Sequence, residues 1–241
     1  MEPYCTLLGE GIRQITPSST ACRLGCSSHC RHEQDHFDSR TFDDSNVIPK
    51  LSSNWIEPNS VLAIARPSEP FLLSHVIAQF HQRKIRSVIN LQRRGEHEYC
   101  GTLVDGAFTY KPETFMNADI SYYNFPTDDF GIWDVDHLLD IIKVVSFAVS
   151  EGGVAIHCHA GLGRTGVICA CWLIFDRGMY AEEAIRTVRA NRAGSIQTRQ
   201  QLASVINFES IVKQLRAWPA GEISINHLYR CYKKGYNKHE L

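Results

Sequence analysis

Hydrophobic residues along this chain alternate between short β-branched blocks and longer stretches with helical spacing. Ser60 to Ala65 reads as a strand ended by Arg66-Pro67, and Phe71 to Arg83 carries apolar residues on one helical face. Arg86 to Leu91 is a second strand, with Phe108 to Tyr110 and Ile120 to Phe125 as shorter candidates. The clearest helix is expected over Asp134 to Ser150. There Leu138, Ile141, Ile142, Val145 and Val149 form a stripe, and Gly152-Gly153 stops it. Val154-Ala155-Ile156 then reads as a buried strand, and Gly163 to Phe175 as a helix apolar enough to be central. Ala181 to Ala190 and Thr198 to Leu215 add two more helices. Helices between short buried strands predict an α/β fold with a sheet covered on both faces.

The pattern fades at both ends. Residues 1–45 are rich in Ser, Cys and His and read as an irregular N-terminal extension; residues 219–241 read as a polar C-terminal tail. The folded body is expected over 46–218. A chain of 241 residues with 44% apolar content supports one sizeable core with appendages. The 25 basic and 26 acidic residues leave a net charge of −1, so no global field favours a nucleic-acid partner or an acidic membrane. The longest apolar run, Val167 to Phe175, is far too short to span a bilayer, so no transmembrane segment is expected. Met1 to Glu10 has neither the basic start nor the apolar core of a secretory leader. Nine cysteines in such a chain point to thiols in a reducing compartment, the cytoplasm. Cys22, Cys26, His29, Cys30, His32 and His36 cluster in the extension, but their spacing is no standard zinc pattern and no metal is expected.

The segment after the third buried strand carries the chemistry: His157-Cys158-His159-Ala160-Gly161-Leu162-Gly163-Arg164-Thr165-Gly166. A Cys and an Arg six positions apart mean little alone, and Cys171 with Arg177 repeats the spacing inside an apolar helix. Cys158 differs because a strand ends there, a Gly-bearing loop follows and a helix begins. Backbone N–H groups from Cys158 to Arg164 can curl around one tetrahedral anion. Gly161 and Gly163 permit positive φ angles and close backbone approach. The first turn of the following helix adds its positive end, and Arg164 can close the cradle as a fork on two phosphate oxygens. The same donors would stabilise a thiolate, making Cys158 a ready nucleophile.

His157 to Gly166 resembles the His-Cys-x5-Arg-Thr-Gly signature of the cysteine-dependent protein tyrosine and dual-specificity phosphatases. The likeness extends through Trp55-Ile56 to Arg66-Pro67-Ser68, and through Ile89-Asn90-Leu91-Gln92 with Gly95-Glu96-His97 and Cys100-Gly101. It continues in Ser195-Ile196-Gln197-Thr198-Arg199, covers about residues 50–215, and points to the Cdc14-related branch. The resemblance implies the protein tyrosine phosphatase fold, with a central, mixed but mostly parallel sheet flanked by helices. It implies a phosphoprotein or phosphopeptide substrate, hydrolysed through a phosphocysteine without metal or cofactor.

By the same resemblance, Cys158 forms the phosphocysteine, Arg164 binds phosphate, His157 helps hold the thiolate and Thr165 donates its hydroxyl to the departing sulfur. His159, Ala160, Gly161, Leu162 and Gly163 line the anion site, His159 at a solvent-facing rim. The general acid lies in Asn124 to Gly131, where Asp128 and Asp129 compete; the resemblance places it at Asp129. Thr127 stands where the family usually carries Trp. Gln197 and Gln201 match glutamines that position water for the second step. A phosphate-binding scaffold without turnover and a phosphoinositide phosphatase are the competing classes. The latter would favour Lys at the positions of His159 and Leu162.

Overall fold

A five-stranded sheet of order β1-β2-β5-β3-β4 forms the middle layer of the computed structural model, which describes residues 2–16, 46–69, 75–98 and 102–217. The strands are β1 (Ser53–Glu57), β2 (Val61–Ile64), β3 (Ile85–Asn90), β4 (Ser121–Asn124) and β5 (Gly153–His157). β1 runs antiparallel to β2, and the other neighbours are parallel, so the sheet is mixed but mostly parallel. The helices are α1 (Leu7–Ile15), α2 (Ile77–Gln82), α3 (Pro112–Met116), α4 (Val135–Glu151), α5 (Gly163–Arg177), α6 (Ala181–Asn191) and α7 (Arg199–Ala217).

Alternation along each strand splits the core in two. Val61, Ala63, Ile89, Val154 and Ile156 face a layer built from α4, α5, α6 and α7. Leu62, Ile64, Val88 and Ala155 face Phe80 of α2 and Phe115 of α3. Helix α5 is buried from Gly163 to Ile174, which is why its sequence shows no polar face. Asp134 caps α4 by accepting a hydrogen bond from His137 N–H at 3.0 Å.

The parallel strands β2, β3, β4 and β5 end on one side, at Ile64, Asn90, Asn124 and His157. The loops that follow them converge there, the usual place for a site in a parallel sheet.

Several elements differ from the sequence reading. Phe108 to Tyr110 is no strand; only an isolated bridge pairs Val104 with Phe108, and Tyr110 packs its ring into the core instead. Strand β1 was not expected. Residues 2–16 are not irregular either. Thr6 caps helix α1 by accepting from Gly9 N–H at 3.1 Å, and the segment is tied to the body. The Cys/His cluster over 22–36, Phe71 to Ser74, Cys100 and the tail over 219–241 lie outside the described residues. Among those described, no helix is long and apolar enough to cross a membrane.

Candidate active site

Strand β5, hydrogen-bonded on both sides, delivers Cys158 to the floor of the site, where it is 3% exposed. The chain then turns through Gly161 at φ +67° into α5. A side chain at 161 would place its Cβ 2.0 Å from the Ile64 carbonyl oxygen, so the turn requires glycine on both counts. Gly163 serves differently: a Cβ there would lie 2.8 Å from Gln197 Oε1 and 3.1 Å from Gln201 Nε2. Its missing side chain is what lets the glutamines close over the loop. Helix α5 starts with no side-chain cap and no acidic residue in its first turn. Its leading N–H groups are therefore available to an anion in the loop.

One side chain that sequence reasoning missed shapes this loop. Arg192, 3% exposed, donates from Nε to the Gly161 carbonyl at 2.6 Å and from Nη2 to the Ala160 carbonyl at 2.9 Å. Its Nη1 is held by Asn54 Oδ1 at 2.7 Å. Turning the loop carbonyls outward toward Arg192 leaves the loop N–H groups to face inward.

His157 is fully buried, and burial above all lowers its pKa to about 4, so the ring is neutral. Its Nδ1–H donates to the Cys158 carbonyl at 2.9 Å, and its Nε2 accepts from the Tyr110 hydroxyl at 2.6 Å. Burial, reinforced by Tyr122, keeps the Tyr110 hydroxyl protonated. Tyr110 is the second residue that the sequence does not reveal, because its aromatic run reads as a strand.

Arg164 lies beneath the loop. Its Nη1 and Nη2 grip Glu96 Oε2 and Oε1 at 2.8 and 2.7 Å, a fork on a carboxylate. Nη1 also donates to the Thr127 carbonyl at 2.9 Å, and Nη2 to Asp129 Oδ1 at 3.0 Å. Its Nε is buried with no hydrogen-bond partner, as is Thr165 Oγ1. Two buried polar atoms left open at one loop mark where a ligand belongs. Glu96 is in turn placed by Arg93 N–H at 3.0 Å and Gln92 Nε2 at 3.1 Å.

The two candidate acids separate. Asp128 pairs with Arg93 at 2.8 Å, both side chains mostly exposed. Asp129 turns inward between Arg164 and His97, whose Nε2 lies 3.2 Å from Oδ2. Burial would raise the Asp129 carboxyl, but the hydrogen bond from His97 and the charge of Arg164 outweigh it and hold it well below the usual range. Thr127, in the place of the usual Trp, is buried, and its carbonyl joins the loop to Arg164. On the far side, Gln201 Nε2 donates to Gly131 O at 3.4 Å.

One placement departs from expectation. His159 does not face solvent: it is 6% exposed and stacks on His97 with ring centroids 3.8 Å apart. Burial, with the charge of Arg66, pushes its pKa down to about 2, so it offers no positive charge at the rim. Gln201 accepts from the N–H groups of Gln197 at 2.8 Å and Thr198 at 3.4 Å. Thr198 Oγ1 reciprocates toward Gln201 N–H at 3.1 Å, completing a capping box at the start of α7. Gln201 thus uses its oxygen on the loop backbone, while its amide lies over Gly163 beside the Gln197 side chain.

Residues 73–211 match the dual specificity phosphatase catalytic domain, and the chain belongs to that family. It is 44% identical over 88% of its length to protein tyrosine phosphatase domain-containing protein 1 of Danio rerio. It is 27% identical over 68% of its length to tyrosine-protein phosphatase cdc-14 of Caenorhabditis elegans. The chain spans 30% and 22% of those two proteins. Among solved structures, Tk-PTP in its active form superposes with a TM-score of 0.55 at 26% identity, covering 66% of this chain and 97% of its own.

Proposed function

We propose that this domain hydrolyses phosphate monoesters of a phosphoprotein or phosphopeptide through a phosphocysteine at Cys158. The observation that carries the reading is the loop itself. Cys158 sits at its start, an uncapped helix N-terminus at its end, and the buried, unpartnered Arg164 Nε and Thr165 Oγ1 at its base.

In the first step the Cys158 thiolate attacks phosphorus, an S–P bond forms and the P–O bond to the leaving group breaks. Loop N–H groups and Arg164 hold the equatorial oxygens. Asp129 gives its proton to the leaving oxygen. In the unliganded protein Asp129 is held as carboxylate by His97 and Arg164. A phosphate that takes Arg164 for itself removes one of these partners and brings negative charge, and both raise the Asp129 pKa. The acid is thus recharged, from solvent, by the arrival of its substrate. In the second step Asp129 takes a proton from water as that water attacks phosphorus. The S–P bond breaks, and Thr165 donates to the departing thiolate. Gln197 orients the water, and Gln201 holds Gln197 in place. Ala160 and Leu162 contribute only backbone to the anion site. The neutral His159 and apolar Leu162 offer little to a polyphosphorylated head group. The reading also places the protein in the cytoplasm, where the Cys158 thiol stays reduced.

The test is p-nitrophenyl phosphate and phosphopeptide hydrolysis in reductant and EDTA, with wild type beside Cys158→Ser. Turnover in wild type and its loss in the variant are expected. A wild type that binds phosphopeptide without releasing phosphate would instead make the domain a scaffold.

A further inference from the structure

The N-terminal segment is not an appendage to the site but docks on the glutamine loop. Cys5 N–H donates to the Gln197 carbonyl at 3.0 Å. Glu10 Oε1 accepts from Arg199 N–H at 3.0 Å, satisfying a leading donor of α7 that Thr198 and Gln201 do not reach. Arg189 of α6 joins the two pieces. Its Nε and Nη2 hold the carbonyls of Ser195 and Ile196 at 3.1 and 2.8 Å, while Nη1 holds the Glu2 carbonyl at 3.0 Å. Its guanidinium also lies 4.6 Å over the Tyr4 ring.

The loop held this way is strained. Ile196 has φ +58°, a conformation a β-branched residue rarely adopts. Such a residue persists only where its surroundings over-determine it. Ser195 and Ile196 press on Gly166 in the first turn of α5, where an added Cβ would meet both at 3.0 Å. Strain at Ile196 therefore sets where Gln197 hangs over Gly163.

We infer that residues 2–16 are a brace that holds the glutamine loop in its strained form and so governs hydrolysis of the phosphocysteine rather than its formation. The inference rests on the phosphocysteine reading above. The brace touches Gln197 and Arg199 through a backbone and a cap bond and reaches Ser195 and Ile196 through Arg189, whereas the residues proposed for the first step, Cys158, Arg164 and Asp129, are held by other elements. Loosening it would let Ile196 relax and move Gln197, while leaving the nucleophile and the acid in place. Glu10 and Tyr4 act through the loop and are positioning residues.

The test is rapid acid quench of p-nitrophenyl phosphate turnover. It compares wild type, Glu10→Gln, and the double variant Tyr4→Ala/Glu10→Ala. The burst of p-nitrophenol gives the first step and acid-trapped phosphate on Cys158 gives the second. In the double variant the burst rate should match wild type, hydrolysis should slow about five- to tenfold and trapped phosphocysteine should rise accordingly. Glu10→Gln keeps an oxygen for Arg199 N–H and should behave as wild type, a rescue that a mere charge effect would not give. Equal slowing of both steps, or an unchanged second step, would overturn the brace. A wild type that traps no phosphate on Cys158 would sink the underlying mechanism as well, a different and earlier failure. Should the double variant unfold, Glu10→Ala alone carries the same readout.

Discussion

His97 Nε2 stands 3.2 Å from Asp129 Oδ2 while Arg164 Nη2 holds the other oxygen at 3.0 Å, so the proposed acid is clamped from two elements. His97 is itself fixed by its stack on His159 and adopts φ +57°. Both partners favour the carboxylate, and in the proposed mechanism only Arg164 is given up to phosphate. His97 therefore sets how readily Asp129 takes up a proton in the loaded site. Replacing it with Ala removes a hydrogen bond that lowers the Asp129 pKa, so that pKa rises. A higher pKa keeps the acid protonated to higher pH. The basic limb of kcat, which reports the loaded site, should move up in His97→Ala by roughly half a unit to one unit. His97→Gln, which retains a donor, should move it less. A basic limb unchanged in His97→Ala would remove the clamp from the account.

The two neighbouring carboxylates offer a sharp contrast. Asp129 faces Arg164, and Asp128 spends its charge on an exposed Arg93. Asp129→Asn should cost about 10²- to 10³-fold in kcat on an alkyl or aryl phosphate with a poor leaving group, and far less with p-nitrophenol, which needs little proton assistance. Asp128→Asn should change kcat less than about twofold, since an exposed ion pair contributes little. The measurement is a leaving-group series at fixed pH. A steeper dependence in Asp128→Asn than in Asp129→Asn would reverse the assignment.

Arg192 should matter as much as any residue that touches phosphate, because it turns two loop carbonyls outward. Arg192→Lys keeps the charge but cannot reach Gly161, Ala160 and Asn54 together with a single ammonium. Phosphate inhibition should weaken at least tenfold in that variant, with kcat falling in parallel. Thermal unfolding should shift less than for Arg192→Ala, which takes the donor from the buried Gly161 carbonyl and from the partly buried Ala160 carbonyl and Asn54 Oδ1. A normal phosphate affinity in Arg192→Lys would show that the loop holds its shape unaided.

The loop from His157 to Gly166 was legible because its chemistry is contiguous: strand, glycines, Arg and helix start follow one another within ten residues. Likeness favours Asp129 over Asp128, and what the geometry adds is that only Asp129 faces Arg164. What sequence could not show are groups brought in from afar. Tyr110 reaches His157 across 47 positions, Glu96 reaches Arg164 across 68, and Arg192 reaches the loop carbonyls from about 30 positions downstream. Each is a polar or aromatic residue in an unremarkable local pattern, so only the fold reveals its partner. The same holds for α1, which is short and exposes Leu8 and Ile12. A nine-residue helix of that kind is marginal alone and is settled by Glu10 and the backbone bonds to the glutamine loop. His159 misled because its polarity suggested solvent, whereas the ring of His97 covers it.

The buried histidines make a prediction for stability. His157 has a folded pKa of about 4 and His159 of about 2, against 6.5 for an unperturbed ring. Below pH 6.5 the unfolded chain binds protons at these positions and the folded chain does not, so falling pH favours unfolding. Their contribution is fully present above pH 6.5 and is lost progressively as pH falls toward 4. The slope is about 1.4 kcal/mol per pH unit for each ring, to order of magnitude. Asp129, held low by its partners, adds nothing in this window because it stays ionised in both states until the pH approaches the carboxylate range. Urea unfolding at pH 7, 6 and 5 should therefore show stability dropping by about one proton's worth between pH 7 and 6, where the unfolded rings are half titrated, and by nearly two between pH 6 and 5. His157→Asn should reduce that slope by about half, whatever it does to stability at pH 7. An unaltered slope in His157→Asn would mean that this ring accepts a proton in the folded protein, and with it that the Tyr110 hydroxyl does not hold its Nε2.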